Sequence, residues 1–220
     1  MADRIDVAIE HSPKKTFATA VDWPGWSRSA RTEEDALESL RAYATRYRIV
    51  ARAAGERFPA GTLAFRVVER TEGGGGTAFG IPSLVSGPDR RRTTAADGKR
   101  LARLVEAAWA RLDAIAADAP ESLRKGPRGG GRDTSRMLAH VVGADHAYAR
   151  EIGLRLPEPA PDDRAAVEAM HRAVLDALRA PTDGSPLADR KWTARYAAQR
   201  IAWHALDHAW EIEDRSDVPG

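Results

Sequence analysis

Hydrophobic and polar positions change period partway along this chain. The first seventy residues alternate over short runs: "IDVAIE" and "FATAVDW" read as strands separated by the turn "HSPKKT", and "LAFRVVER" reads as a third strand. Between them "DWPGW" turns the chain. Thr32 can then cap a helix whose first turn holds Glu33, Glu34 and Asp35, and Leu37, Leu40, Ala44 and Tyr47 follow at helical spacing. The expected unit over residues 1–70 is a small β-β-α-β sheet domain. Residues 71–96 lose the periodicity. "EGGGGT" and "SGPDRRRTT" bracket one apolar patch, "FGIPSLV", the composition of a flexible Gly/Pro/Arg-rich linker.

From residue 97 the spacing becomes helical. Leu101, Leu104, Val105, Ala108, Leu112 and Ile115 mark a first helix that ends before Pro120, and "RKGPRGGGRD" follows as a loop. Asp133 or Thr134 can cap a second helix carrying Met137, His140, Val141, Ala144 and Tyr148 on one side. Val167, Met170, Val174 and Leu178 define a third, stopped near Pro181, and a fourth runs from about Lys191 to Asp214. Four amphipathic helices with short or proline-stiffened connections predict a four-helix bundle over 97–215. The fold class expected is therefore α+β, a small sheet domain followed by an all-α bundle.

Composition narrows the chemistry. The absence of cysteine excludes disulfides, thiolate zinc clusters and a catalytic thiol, so any metal site must be built from His, Asp and Glu. No run of about 18 apolar residues occurs, and the charged N-terminus lacks the apolar core of a signal peptide, so a cytoplasmic, non-membrane protein is expected. With 34 basic against 32 acidic residues the formal charge is +2, which gives nucleic acid no strongly basic surface to bind.

The last helix raises a chemical question. His204 and His208 lie about 40° apart on one stripe with Ala197, Ile201 and Ile212, so both should point inward. A buried imidazole without a hydrogen bond costs about 1–3 kcal/mol, and a divalent cation removes that penalty by taking a lone pair from each ring. Two separately hydrogen-bonded histidines would answer the same pattern. His140, central on the second helix's apolar stripe beside Gly143 and Ala144, adds a third inward imidazole and favours a metal. His171 falls on the third helix's apolar side as a core histidine or a fourth ligand; His146 reads as surface or packing, and His11 as a turn residue. Glu211 is a candidate outer partner of a ligand, or a half-exposed rim residue. Asp207 shares that ambiguity, with a surface ion pair to Arg200 or Arg195 as its other reading. Trp203 and Trp210 read as packing or pocket wall. Zincin chemistry is disfavoured because Ala205 follows the first histidine where H-E-x-x-H needs Glu, and ferritin-like di-iron chemistry because no pair of Glu-x-x-His segments occurs.

Two resemblances bear on these residues. "FATAVDWPGWSRSARTEEDALESLRAYATRYR" resembles the HicB-like family in its strand, Pro-Gly turn and acidic helix start, over roughly the first seventy residues. HicB antitoxins usually add a DNA-binding segment, and no ribbon or helix-turn-helix pattern is visible here. The resemblance implies a fold and an interaction or dimerisation surface, and no catalysis. "TSRMLAHVVGADHAYAREIG" and "RYAAQRIAWHALDHAWEIEDR" resemble the second and fourth helices of the DinB-like superfamily, which includes thiol-dependent transferases and relatives of mycothiol-dependent maleylpyruvate isomerase. Its one histidine in the second helix and H-x-x-x-H pair in the fourth bind a divalent metal, commonly zinc or nickel. Carried across, the implied ligands are His140, His204 and His208. The resemblance implies a thiol-dependent transferase or isomerase acting on a small-molecule substrate, with a low-molecular-weight thiol such as mycothiol as cosubstrate. The alternative is a non-catalytic metal-binding protein in which the HicB-like domain docks a protein partner or forms a homodimer.

Overall fold

The computed structural model describes residues 3–125 and 133–216; most of the loop expected over 124–133 lies outside them. The fold is mixed α+β. Strands β1 (Asp3–His11), β2 (Thr16–Ala20), β3 (Ser27–Ala30) and β4 (Leu63–Glu72) form one sheet in the order β3-β2-β1-β4. Neighbouring pairs β3/β2 and β2/β1 are antiparallel, and β4 joins β1 in parallel after a helical crossover. The sheet holds one strand more than the sequence predicts. β3, "SRSA", has no apolar alternation, and its place is fixed by pairing: Phe17 opposes Ser29, and the Thr19 and Ser27 hydroxyls meet at 2.7 Å.

The helix predicted after Thr32 is two. Thr32 accepts the Asp35 amide as its cap, and α1 (Glu33–Ala42) breaks at Tyr43 before α2 (Ala44–Ala53). Ala36, Leu40 and Tyr47 pack on one sheet face against Ile5, Val7, Ile9, Ala18 and Ala20. Each large apolar side chain buried there contributes about 1.5–3 kcal/mol. Trp26 stacks on Tyr47 at 5.5 Å between ring centroids, its indole donating to the Leu40 carbonyl.

Four long helices make the rest: α4 (Ala95–Asp118), α5 (Thr134–Glu151), α6 (Arg164–Arg179) and α7 (Ala194–Arg215). Thr94 closes a capping box with Asp97 at the start of α4, and Thr193 caps α7. α4 packs along α7 and α6, while α5 touches α7 and α6 much less closely. No helix among the described residues is long and apolar enough to cross a membrane.

α7 belongs to both parts of the molecule. Its far side meets the second sheet face, where Gly25 sits so close that a Cβ would lie 2.9 Å from the Ala202 Cβ, with φ at +90°. Only glycine supplies both that backbone conformation and that approach. The Gly25 amide donates to the Gln199 side chain at 2.9 Å, and Gln199 donates back to the Ala20 carbonyl at 2.8 Å. Two backbone groups at the turn are thereby satisfied by one buried amide.

Residues 73–94, whose composition predicts a flexible connector, form a packed strap. It carries the short helix α3 (Gly75–Phe79) and a single 3₁₀ turn, Pro88–Arg90. The buried Glu10 carboxylate on β1 accepts from the Thr77 hydroxyl, the Ser83 amide (3.0 Å), the Ser83 hydroxyl (3.1 Å) and the Leu84 amide (3.2 Å). Glycine and arginine content does not reveal that anchor, because the group that holds the strap lies some seventy residues earlier in the chain.

Candidate metal centre

Looser packing between α5 and α7 leaves a cleft of about 660 Å³, with Met137, His140 and Tyr148 on one wall and Trp203, His204 and His208 on the other. Phe79, Gly80 and Ile81 of the strap border it. His140 comes from α5, and His204 and His208 come from successive turns of α7. Their ring centroids are 4.7–5.1 Å apart, and one ligand nitrogen from each lies within 4.8 Å of the others.

The spacing can be tested against metal geometry. Nitrogens bound at about 2.0–2.1 Å in a tetrahedral shell are separated by about 3.3–3.4 Å. The Nε2 atoms of His140 and His204 are 3.3 Å apart. The His208 Nδ1 lies 3.1 Å from the Glu211 carboxylate, which also accepts from Arg215 at 2.7 Å. A carboxylate there favours the proton on Nδ1 and leaves the Nε2 lone pair for a ligand role, the usual outer-shell function of such a group. The residues present therefore fit a divalent ion held by neutral His₃ donors.

The other predicted residues separate. His171 does not join the cluster. Its Nε2 meets the buried Asp145 carboxylate at 3.1 Å and its ring stacks on Trp109, centroids 3.7 Å apart. Burial pushes Asp145 above the usual carboxylate range, with the His171 partner pulling the other way. His146 bonds the Leu156 carbonyl at 2.9 Å, a packing role, and His11 ends β1. Asp207 pairs with Arg28 at 3.0 Å, not with Arg200 or Arg195, because β3 brings an arginine to that face of α7. Trp203 lines the cleft, whereas Trp210 is buried against Tyr43. Ala144 borders the cleft, but the space beside Gly143 faces Glu158 instead.

Sequence reasoning passed over Arg200 and Phe79 as members of the site. Arg200 was legible as a residue one turn before His204 on the same stripe; Phe79 had no signal, since its place depends on how the strap is anchored. No family model, curated protein or solved structure matches the chain. The fold and the site define the class without a relative: a mixed α+β protein with a three-histidine cleft between two helices.

Proposed function

We propose that this chain is a divalent-metal-binding protein of DinB-like architecture with a HicB-like N-terminal sheet, and that its open three-histidine site serves a thiol-dependent transferase or isomerase reaction. The observation that carries the reading is the convergence of His140, His204 and His208 at a cleft of organic-ligand size. A structural ion would be closed off by a fourth protein ligand. The candidate for that place, His171, is held by Asp145 on another side of α5.

His140, His204 and His208 would hold the ion, zinc or nickel, and Glu211 fixes the tautomer of His208. An ion with only neutral donors keeps its charge, and supplies the Lewis acidity that ionises a thiol or a water near neutral pH. The rings of Tyr148 and Trp203 line that part of the cleft. A low-molecular-weight thiol such as mycothiol supplies the nucleophile, and the substrate is a small electrophile.

Metal analysis of untagged protein is expected to give about one divalent ion per chain, and H204A/H208A to abolish it. A thiol panel with electrophilic substrates should then show thiol consumption that disappears with the metal. Metal content unchanged in the double variant overturns the reading. Stoichiometric metal with no turnover leaves a non-catalytic metal-binding protein whose sheet is the interaction module.

A further inference from the structure

We infer that the histidine cleft selects an organic carboxylate with an apolar body, its oxyanion received by Arg200 and its apolar part lying against Phe79. This deepens the reading above by naming the class of molecule the cleft takes. Arg200 leads His204 by one turn of α7, is 7% exposed, and lines the cleft between the rings of Tyr148 and Trp203, 5.1 and 4.7 Å from their centroids. A guanidinium cannot discharge itself by losing a proton. Two aromatic faces offset part of its desolvation, and the neutral Tyr148 hydroxyl beside it brings no charge. Among the described residues no carboxylate forms an ion pair with it, and its Nη1 is buried without a hydrogen-bond partner.

The carboxylates along the cleft are already engaged. Asp207 is held by Arg28 at 3.0 Å, and Glu211 by His208 and Arg215. What remains is the Arg200 charge, joined by that of any cation the histidines hold, in a partly desolvated cleft. Such a field draws an anion. A planar guanidinium fork matches a carboxylate better than a spherical ion.

Phe79 supplies the apolar half. It is 82% exposed at the cleft border, an unusual place for a large aromatic side chain. The position is built: Gly80 ends α3 with φ at +115°, and the Glu10 carboxylate holds the strap on both sides through Thr77 and Ser83. A ligand body lying in the cleft would cover the ring and regain the burial that folding left undone.

Titration calorimetry of the full chain with benzoate, benzamide, acetate and inorganic phosphate tests this, run both as purified and after removal of metal. Benzoate is expected to bind at least tenfold tighter than benzamide in both states. Arg200→Met should erase that preference and Arg200→Lys reduce it severalfold, with the metal content of the purified variants unchanged. Phe79→Ala should weaken benzoate about threefold and leave acetate unaffected. Should Arg200→Met fail to fold, the lysine variant, the exposed Phe79 variant and the wild-type ligand series still decide. Equal affinity for benzoate and benzamide overturns the inference, as does phosphate binding as tightly as benzoate or a preference that survives both arginine variants. A benzoate preference that depends on Arg200 in a protein found to carry no metal would uphold the anion site while the metal reading fails; a metal-loaded protein without the preference would do the reverse.

Discussion

Two histidine sites share α5, and they differ in what surrounds the carboxylate-bonded ring. His140 faces α7 and two further imidazoles; Asp145, five residues on and about 140° around the helix, faces α6 and His171. In the second cluster a buried carboxylate meets the ring nitrogen directly and an indole covers the ring face, so the pair is self-contained. In the first, Glu211 meets the Nδ1 of His208 at the same 3.1 Å, but two further imidazoles, not an indole, stand beside that ring. A carboxylate-bonded histidine capped by an indole is closed to a ligand, whereas one beside two other imidazoles has its second nitrogen where a cation could be shared.

The sharpest way to separate the two clusters is to add zinc and measure stability. A ligand held only by the folded state at a thousandfold excess over its dissociation constant stabilises by about 4 kcal/mol. Chemical denaturation with and without zinc should show that increment in the parent protein and in H171A, and none in H204A/H208A. Loss of the increment in H171A would mean that the clusters are one site.

The next effect lies on the other side. Asp145→Ala removes the carboxylate from a junction of α4, α5 and α6, leaving His171 without its buried acceptor; breaking such a pair costs about 2–3 kcal/mol where one partner can shed its charge. Metal stoichiometry should not change. A smaller step tests the outer carboxylate: Glu211→Gln keeps the shape beside His208 and removes the charge, and is expected to weaken metal about tenfold in chelator competition. Unaltered affinity would mean that Glu211 serves only Arg215.

The contrast between the clusters also explains what the sequence could convey. Periodicity places helices well when one stripe is apolar, and α4, α5, α6 and α7 fall within a few residues of their predicted bounds. The three site histidines were visible for the same reason, as polar residues on those stripes. The His171–Asp145 pairing was not, because Asp145 offers no spacing relation to a residue on another helix. β3 was missed because cross-strand partners, not its own composition, make it a strand. The strap was misread because its anchor is Glu10. Arg200 shares the His204 stripe in the sequence, but its burial shows only in the packed structure.

The finest distinction is in pH dependence. Burial raises Asp145 above 3.8, so between that value and its folded value the native chain retains a proton that the unfolded chain has released. Stability from this group therefore falls as pH rises through that window. Asp89 is raised by burial as well and contributes with the same sign, but it is common to both proteins compared. Asp145→Asn keeps a hydrogen-bonding group beside His171 and cannot ionise. Measured without metal from about pH 4 to 7, the asparagine variant should gain on the parent protein as pH rises. Parallel curves would mean that His171 compensates the carboxylate fully, and that the two clusters differ in packing alone.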